Sequence, residues 1–146
     1  MRRVLVVTVS TLALAACGSG NEGPTRIEYA QRADAICSRY NQQTAALRTR
    51  RADVKELARI AERTLVLLDR ATARLRALAI PSDEETAARR WLDSLGRLRA
   101  DVVKIRDAAR ANDLATVRVV AIKAEHDNET SNALARRLGL TACSSG

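Results

Sequence analysis

Three cysteines and one histidine are the residues whose chemistry could set the role of this chain. They are Cys17, Cys37, Cys143 and His126. A cysteine sulfur can be acylated, oxidised to a disulfide or used as a nucleophile, and a histidine can act as a general base. A single histidine excludes a multi-histidine metal site. No nucleophile or orienting group accompanies His126 in a recognisable pattern, so we expect it to be exposed or structural. We predict no catalytic residue, metal or cofactor.

The first of the cysteines ends an N-terminal segment with the composition of a secretion signal. Arg2 and Arg3 precede an apolar run over residues 4–13, which is shorter than the ~20 residues of a transmembrane helix. The run ends in Leu14-Ala15-Ala16-Cys17. An ordinary signal peptide cleaved after Ala16 would leave Cys17 as a plain thiol.

The segment resembles the bacterial lipobox, in which the cysteine sulfur is diacylglycerylated before the signal is cleaved. The resemblance implies a signal peptide over residues 1–16 and a lipid on Cys17. It also implies attachment to the cell membrane on its extracytoplasmic face. The stretch 17–24, rich in Gly, Ser and Asn, cannot bury apolar area and is expected to be a flexible spacer before a domain over residues 25–146.

Apolar residues recur every three or four positions through the rest of the chain, which is typical of amphipathic helices. In the first helix the predicted buried face includes Ile27, Ala33 and Cys37. Three capping boxes are predicted to start helices, at Thr25–Glu28, Asp53–Glu56 and Ser82–Glu85. The predicted helices span residues 26–50, 53–79, 83–111 and 114–138.

The sequence marks the turns between these helices with different clarity. Pro81 separates the second helix from the third, and Gly139 is the expected C-cap of the fourth. The turn near 50–53 is the weakest, because neither Gly nor Pro marks it. Four helices of similar length joined by short turns predict an all-α fold, an up-down antiparallel four-helix bundle.

Acylation of Cys17 would leave Cys37 and Cys143 to form a disulfide in an oxidising compartment. In an up-down bundle the first and last helices are neighbours, so the C-terminal residues would reach the first helix near Cys37. The alternative is two unconnected cysteines.

A polar layer interrupts the predicted core. Asn128 and Ser131 lie on the apolar face of the fourth helix and would oppose Tyr40 and Thr44 of the first. Buried polar groups need partners, so we predict hydrogen bonds joining them, which would fix helix register. Alternatively, these residues line a pocket for a polar ligand. Trp91 is interpreted as a core residue, with ligand stacking as the alternative.

Several short motifs of the chain also resemble small helical lipoproteins of actinobacteria, most of them uncharacterised. The motifs are Ala33-Asp34-Ala35-Ile36-Cys37, Pro81, Trp91-Leu92 and Leu138-Gly139-Leu140 before Cys143. The resemblance implies a secreted helical domain closed by a disulfide, and it implies no activity.

The basic charge of the chain does not indicate nucleic-acid binding. The formal net charge is +8, or +6 without Arg2 and Arg3, and the basic residues are scattered among acidic ones. We expect the membrane, through the lipid, as one partner, and envelope proteins or anionic envelope polymers as others. The leading hypothesis is a non-enzymatic interaction or structural module. The alternative is a small-ligand binding or sensing domain that uses the bundle interior around Tyr40, Trp91 and Asn128.

Overall fold

The computed structural model describes residues 23–47 and 53–146, and within these ranges the chain is all-helical, with no strand. The helices are α1 (Arg26–Ala45), α2 (Val54–Arg76), α3 (Glu85–Arg110), α4 (Leu114–Arg137) and a final 3-10 turn (Ala142–Ser144). The predicted all-α class is confirmed for this part of the chain. The signal peptide 1–16, the lipidation site Cys17 and most of the turn predicted near 50–53 lie outside the described residues.

Side-chain caps account for where three of the helices begin. The Thr25 hydroxyl accepts from the Glu28 amide, and the Glu28 carboxylate accepts from the Thr25 amide at 2.8 Å, so the predicted capping box is formed. Asp53 accepts from the Glu56 amide at 2.7 Å, but the Glu56 carboxylate binds Arg59 instead of reaching back. Asp113 caps α4 in the same way. These oxygens satisfy amides that have no partner within the helix.

The third predicted capping box, Ser82–Glu85, is wrong. Helix α3 begins at Glu85 with Glu84 as its N-cap, and no side chain caps it. The Glu84 amide donates to the Pro81 carbonyl at 3.0 Å, so residues 81–84 form a tight turn before the helix. The Glu84 carboxylate instead pairs with Arg26 at 3.0 Å and thereby joins this turn to α1.

Gly139 ends α4 as predicted. It adopts φ 75°, a left-handed conformation that favours glycine. The Gly139 amide donates to the Arg136 carbonyl, and the Leu140 amide donates to that of Ala135, which is the Schellman pattern. Leu140 is then fully buried, so the chain turns back onto the bundle here.

Consecutive helices pack against each other through a core of Leu, Ala and a few larger residues. Arg99 of α3 binds Asp69 of α2, and Ser94 of α3 lies 3.0 Å from Ser131 of α4. Trp91 is 1% exposed, which agrees with its interpretation as a core residue. The predicted face of α1 needs one correction. Ala33 and Cys37 are buried as predicted, but Ile27 is 69% exposed and Tyr29 takes its place in the core.

The predicted disulfide is present: Cys37 and Cys143 are bonded, with their Cα atoms 5.0 Å apart. Helix α1 makes few direct contacts with α4, and the 3-10 turn contacts both of them. The C-terminal residues therefore fill part of the gap between the first and last helices. None of the helices in the described ranges is long and apolar enough to cross a membrane.

Candidate functional site

A cavity of about 480 Å³ lies between the helices, on the side where α1 and α4 are separated. All four helices and the C-terminal residues contribute to its wall. Its largest apolar side chains are Leu68, Leu75, Trp91, Leu95, Leu98 and Val102. Its polar side chains are Tyr40, Asn41, Thr44, Thr64, Thr72, Asn128, Ser131, Asn132 and Ser145. The structure thus brings the predicted site residues Tyr40, Thr44, Trp91, Asn128 and Ser131 to one cavity.

The predicted hydrogen bonds across this layer are not formed. Ser131 lies against the Ser94 hydroxyl, and the Thr44 hydroxyl donates to the Tyr40 carbonyl of its own helix at 3.0 Å. The Asn128 side-chain amide donates to the Gly146 carbonyl at 2.9 Å. Because a cavity separates α1 from α4 at this level, these side chains find partners within their own helix or in adjacent segments. These polar residues therefore line the cavity and form no hydrogen bonds between α1 and α4.

The charged side chains of the described residues avoid this cavity. Its described lining contains no Asp, Glu, Lys, Arg or His. Burial raises the pKa of the Tyr40 phenol above its usual value, so this group is a neutral donor at physiological pH. The wall can therefore offer apolar contact and neutral hydrogen-bonding groups to a bound molecule.

Trp91 has a feature that its packing does not explain. Its indole Nε1–H is buried and has no hydrogen-bond partner among the described residues. The Tyr29 hydroxyl is also buried without a partner, but Tyr29 does not line the cavity. Buried donors are usually satisfied. The Nε1 atom is shielded from the cavity as well as from solvent, so this unpaired donor belongs to the packed core behind the wall.

Asp34 was not predicted as a functional or structural residue, yet it holds the C-terminal wall of the cavity. Its carboxylate accepts from the Thr141 amide and hydroxyl and from the Ala142 and Cys143 amides, at 2.7–3.2 Å. Asp34 precedes Cys37 by three residues. That spacing puts both side chains on one face of α1, so the predicted disulfide could have pointed to this acceptor.

Asparagine side chains hold the end of the same segment. Asn41 donates to the Ala142 carbonyl at 2.9 Å, and Asn132 donates to the Gly146 carbonyl at 3.1 Å, beside the bond from Asn128. Together with the disulfide and Asp34, these bonds fix residues 141–146 as one wall of the cavity.

Two ionisable side chains outside the cavity, His126 and Asp101, are accounted for by exposure to solvent and by an ion pair. No cluster of three or more His, Cys, Asp and Glu side chains that could hold a metal is found in the described part of the chain. His126 is exposed on α4, as predicted. Asp101 is buried, but Lys123 binds both of its oxygens, so its charge has a structural partner.

No family model, curated protein or solved structure matches this chain. The cavity and its wall are therefore the observations from which a function can be argued.

Proposed function

We propose that this protein is a lipid-anchored, extracytoplasmic domain that binds a small molecule in the cavity between its helices. The cavity supports this proposal, because its volume of about 480 Å³ lies within the ~300–1,000 Å³ of typical ligand sites. Its wall is largely apolar with several neutral polar groups, which is the usual character of such sites. A non-enzymatic role is part of the proposal.

We further propose that the helices form an up-down antiparallel bundle. Ion pairs between α2 and α3 support this. Asp69 pairs with Arg99, and Glu62, nearer the start of α2, pairs with Arg110, nearer the end of α3, so the two helices run in opposite directions. The pairs Ser94–Ser131 and Asp101–Lys123 show that α3 and α4 also run in opposite directions. In this arrangement α1 and α4 are neighbours, and the C-terminal residues between them keep the interior open.

The lipid anchor rests on the sequence Leu14-Ala15-Ala16-Cys17. Mass spectrometry of the full chain expressed in its own membrane should find cleavage after Ala16 and a diacylglyceryl group on the following cysteine. Cys17→Ser should abolish lipid attachment, while the Cys37–Cys143 disulfide still forms. An unmodified Cys17 in the membrane fraction would refute the anchor and leave the cavity proposal intact.

Ligand binding can be tested by filling the cavity. Ala71 lies on the cavity wall, and Ala73 is an exposed residue of the same helix outside the wall. Native mass spectrometry of the full chain with the neutral apolar probe N-phenyl-1-naphthylamine should show one bound molecule. Ala71→Leu should remove it, and Ala73→Leu should retain it. Absence of a one-to-one complex, or equal binding by both variants, would refute the proposal; circular dichroism confirms that each variant is folded.

Contact with another envelope protein is the second candidate function. Two large apolar side chains on α4, Val119 and Ile122, are 69% and 70% exposed, and they lie three residues apart on one face. A photoreactive amino acid at position 122 should then crosslink one envelope protein in native membranes, and one at position 73 should not. Identical crosslinks at both positions would exclude a specific interface.

A further inference from the structure

We propose that α1 and α2 together form a binding site for a phosphate group, in a pocket bounded by Arg39, Arg70 and Arg74. The pocket has a volume of about 100 Å³, and its described lining comes from these two helices alone. Tyr40 and Ala71 line both this pocket and the large cavity between the helices. The three arginines are not among the described residues that line the large cavity, so the phosphate site is independent of the proposed small-molecule site.

The three arginines converge on the pocket from two helices. Arg70 and Arg74 lie four residues apart in α2, which places them on one face of that helix, one turn from each other. Arg39 lines the pocket from α1, and Gln43 lies one turn further along the same face. The pocket is therefore lined by three cationic side chains at the contact between α1 and α2.

No acidic side chain of the described residues pairs with these three arginines. Residues 35–45 of α1 contain no Asp or Glu, and residues 63–76 of α2 contain only Asp69. Asp69 is already bound by Arg99 of α3, at 2.6 and 3.0 Å. The three guanidinium charges therefore repel one another, and a bound anion would replace this repulsion with attraction.

The number and geometry of the donors select a phosphate group over a carboxylate. A guanidinium group presents its N–H donors in a planar fork that fits two oxygens of a phosphate. Three such groups match the three terminal oxygens of a phosphomonoester, which carries a charge of about −1.5 to −2 at pH 7. A carboxylate offers only two oxygens and a single charge.

The rest of the lining suits the same ligand. Ile36, Leu67 and Ala71 supply apolar surface, which keeps water from part of the pocket and strengthens the attraction between the charges. Tyr40 and Gln43 add neutral groups that can donate hydrogen bonds. The volume of about 100 Å³ is that of about three water molecules at ~30 Å³ each, so one phosphate group fits and the rest of a larger ligand stays outside.

Equilibrium dialysis with radiolabelled inorganic phosphate measures this binding. The full chain is reconstituted in nanodiscs of phosphatidylcholine at pH 7, and sodium chloride fixes the ionic strength. We expect saturable binding of one phosphate per chain. Unlabelled acetate at the same ionic strength should compete at least about tenfold more weakly than unlabelled phosphate.

Variants at one position of the pocket separate a built site from general charge attraction. Arg70→Gln should weaken phosphate binding at least about tenfold, because it removes a charged, forked donor. Arg70→Lys keeps the charge without the fork and should weaken binding less. Arg76→Gln removes the same charge from an exposed position of α2 outside the pocket, and it should change the affinity by less than about twofold.

A second set of nanodiscs identifies the source of the phosphate group. Phosphatidic acid, whose headgroup is a phosphomonoester, is mixed into the phosphatidylcholine, and phosphatidylglycerol at equal surface charge is the control. Loss of labelled phosphate binding in the phosphatidic acid discs alone would identify a lipid headgroup as the ligand. Binding retained in both kinds of disc would identify a soluble phosphate compound. Either result supports a phosphate site.

Three outcomes would overturn the proposal. They are the absence of saturable phosphate binding in phosphatidylcholine discs, equal weakening by Arg70→Gln and Arg76→Gln, and competition by acetate as strong as that by phosphate. Arg70→Gln should still bind N-phenyl-1-naphthylamine one-to-one, because Arg70 does not line the large cavity. Failure of the phosphate site and failure of the small-molecule site are therefore distinguishable, and circular dichroism confirms that each variant is folded.

Discussion

The Asp101 carboxylate, 1% exposed in α3, accepts two hydrogen bonds from the Lys123 ammonium of α4, at 2.9 and 3.0 Å. Lys123 is 52% exposed, so one partner of this ion pair is in the core and the other reaches solvent. Lys123 also binds Asp127, one turn along its own helix, at 2.6 Å. The ammonium thus compensates a buried negative charge at the contact between α3 and α4.

Removal of that ammonium should destabilise the fold. Lys123→Met keeps most of the side chain but leaves Asp101 buried without a partner. We expect the free energy of unfolding to fall, by less than the ~3–5 kcal/mol lost when a fully buried pair is broken, because water reaches Lys123. Urea denaturation at pH 7 measures it. Lys104→Met, on an exposed part of α3, is the control. Equal stability of the two variants would contradict this role of Lys123.

The C-terminal wall of the cavity should depend on Asp34. Asp34→Ala removes the acceptor for three backbone amides and one hydroxyl, and we expect a loss of about 2 kcal/mol in the free energy of unfolding. Hydrogen exchange of the Thr141, Ala142 and Cys143 amides should accelerate, while that of the α3 amides changes little. Asp83→Ala, in an exposed turn, is the control. Unchanged exchange at these three amides would show that the disulfide alone holds the segment.

The glycines of α3 and of the α4 terminus should respond oppositely to alanine. Gly96 is exposed within α3, and an added Cβ meets no atom within 4 Å, so Gly96→Ala should stabilise the protein by about 1 kcal/mol. Gly139 also has open space but has φ 75°, so Gly139→Ala should destabilise it by about 1 kcal/mol. Thermal unfolding of both variants measures the difference. Destabilisation by Gly96→Ala would indicate a close contact of α3.

Stability should fall in acid because several carboxyl groups are held ionised in the folded state. The hydrogen bond from Arg99 lowers the pKa of Asp69, and hydrogen bonds from Thr116 lower that of Asp113. A folded pKa below the unfolded value of ~3.9 means that the unfolded chain binds more protons in this range, so stability rises with pH. This contribution is complete above about pH 5 and is lost as pH falls through the lowered folded values.

Urea unfolding at pH 7, 5 and 3 tests this pH dependence. The midpoint should change little between pH 7 and 5 and should fall between pH 5 and 3. Asp69→Asn should show a smaller fall than the unaltered chain, because it lacks one of the groups that titrate. A fall that is unchanged in this variant would assign the acid sensitivity to other carboxyl groups.

Local sequence signals predicted the starts of the helices better than their ends. Thr25, Asp53 and Asp113 each bind an amide of the first turn, a contact that depends on residues three positions apart. The helix ends are earlier than predicted, most of all in α1, which ends at Ala45 instead of residue 50. Ser82 shows the limit of such signals. It had the pattern of a capping box, but the turn after Pro81 and the pairing of Glu84 with Arg26 placed the helix start elsewhere.

The sequence by itself determined the all-helical class and most of the helices, because these follow from periodicity and turn residues, and it predicted the Cys37–Cys143 bond on the premise that Cys17 is acylated. Only the tertiary structure decided that Tyr40, Thr44, Asn128 and Ser131 line a cavity instead of bonding to one another. The spacing of α1 and α4 is set by residues 141–146, which Asp34 and the disulfide hold between them. Such a distance depends on contacts between residues about a hundred positions apart, and no local pattern records it.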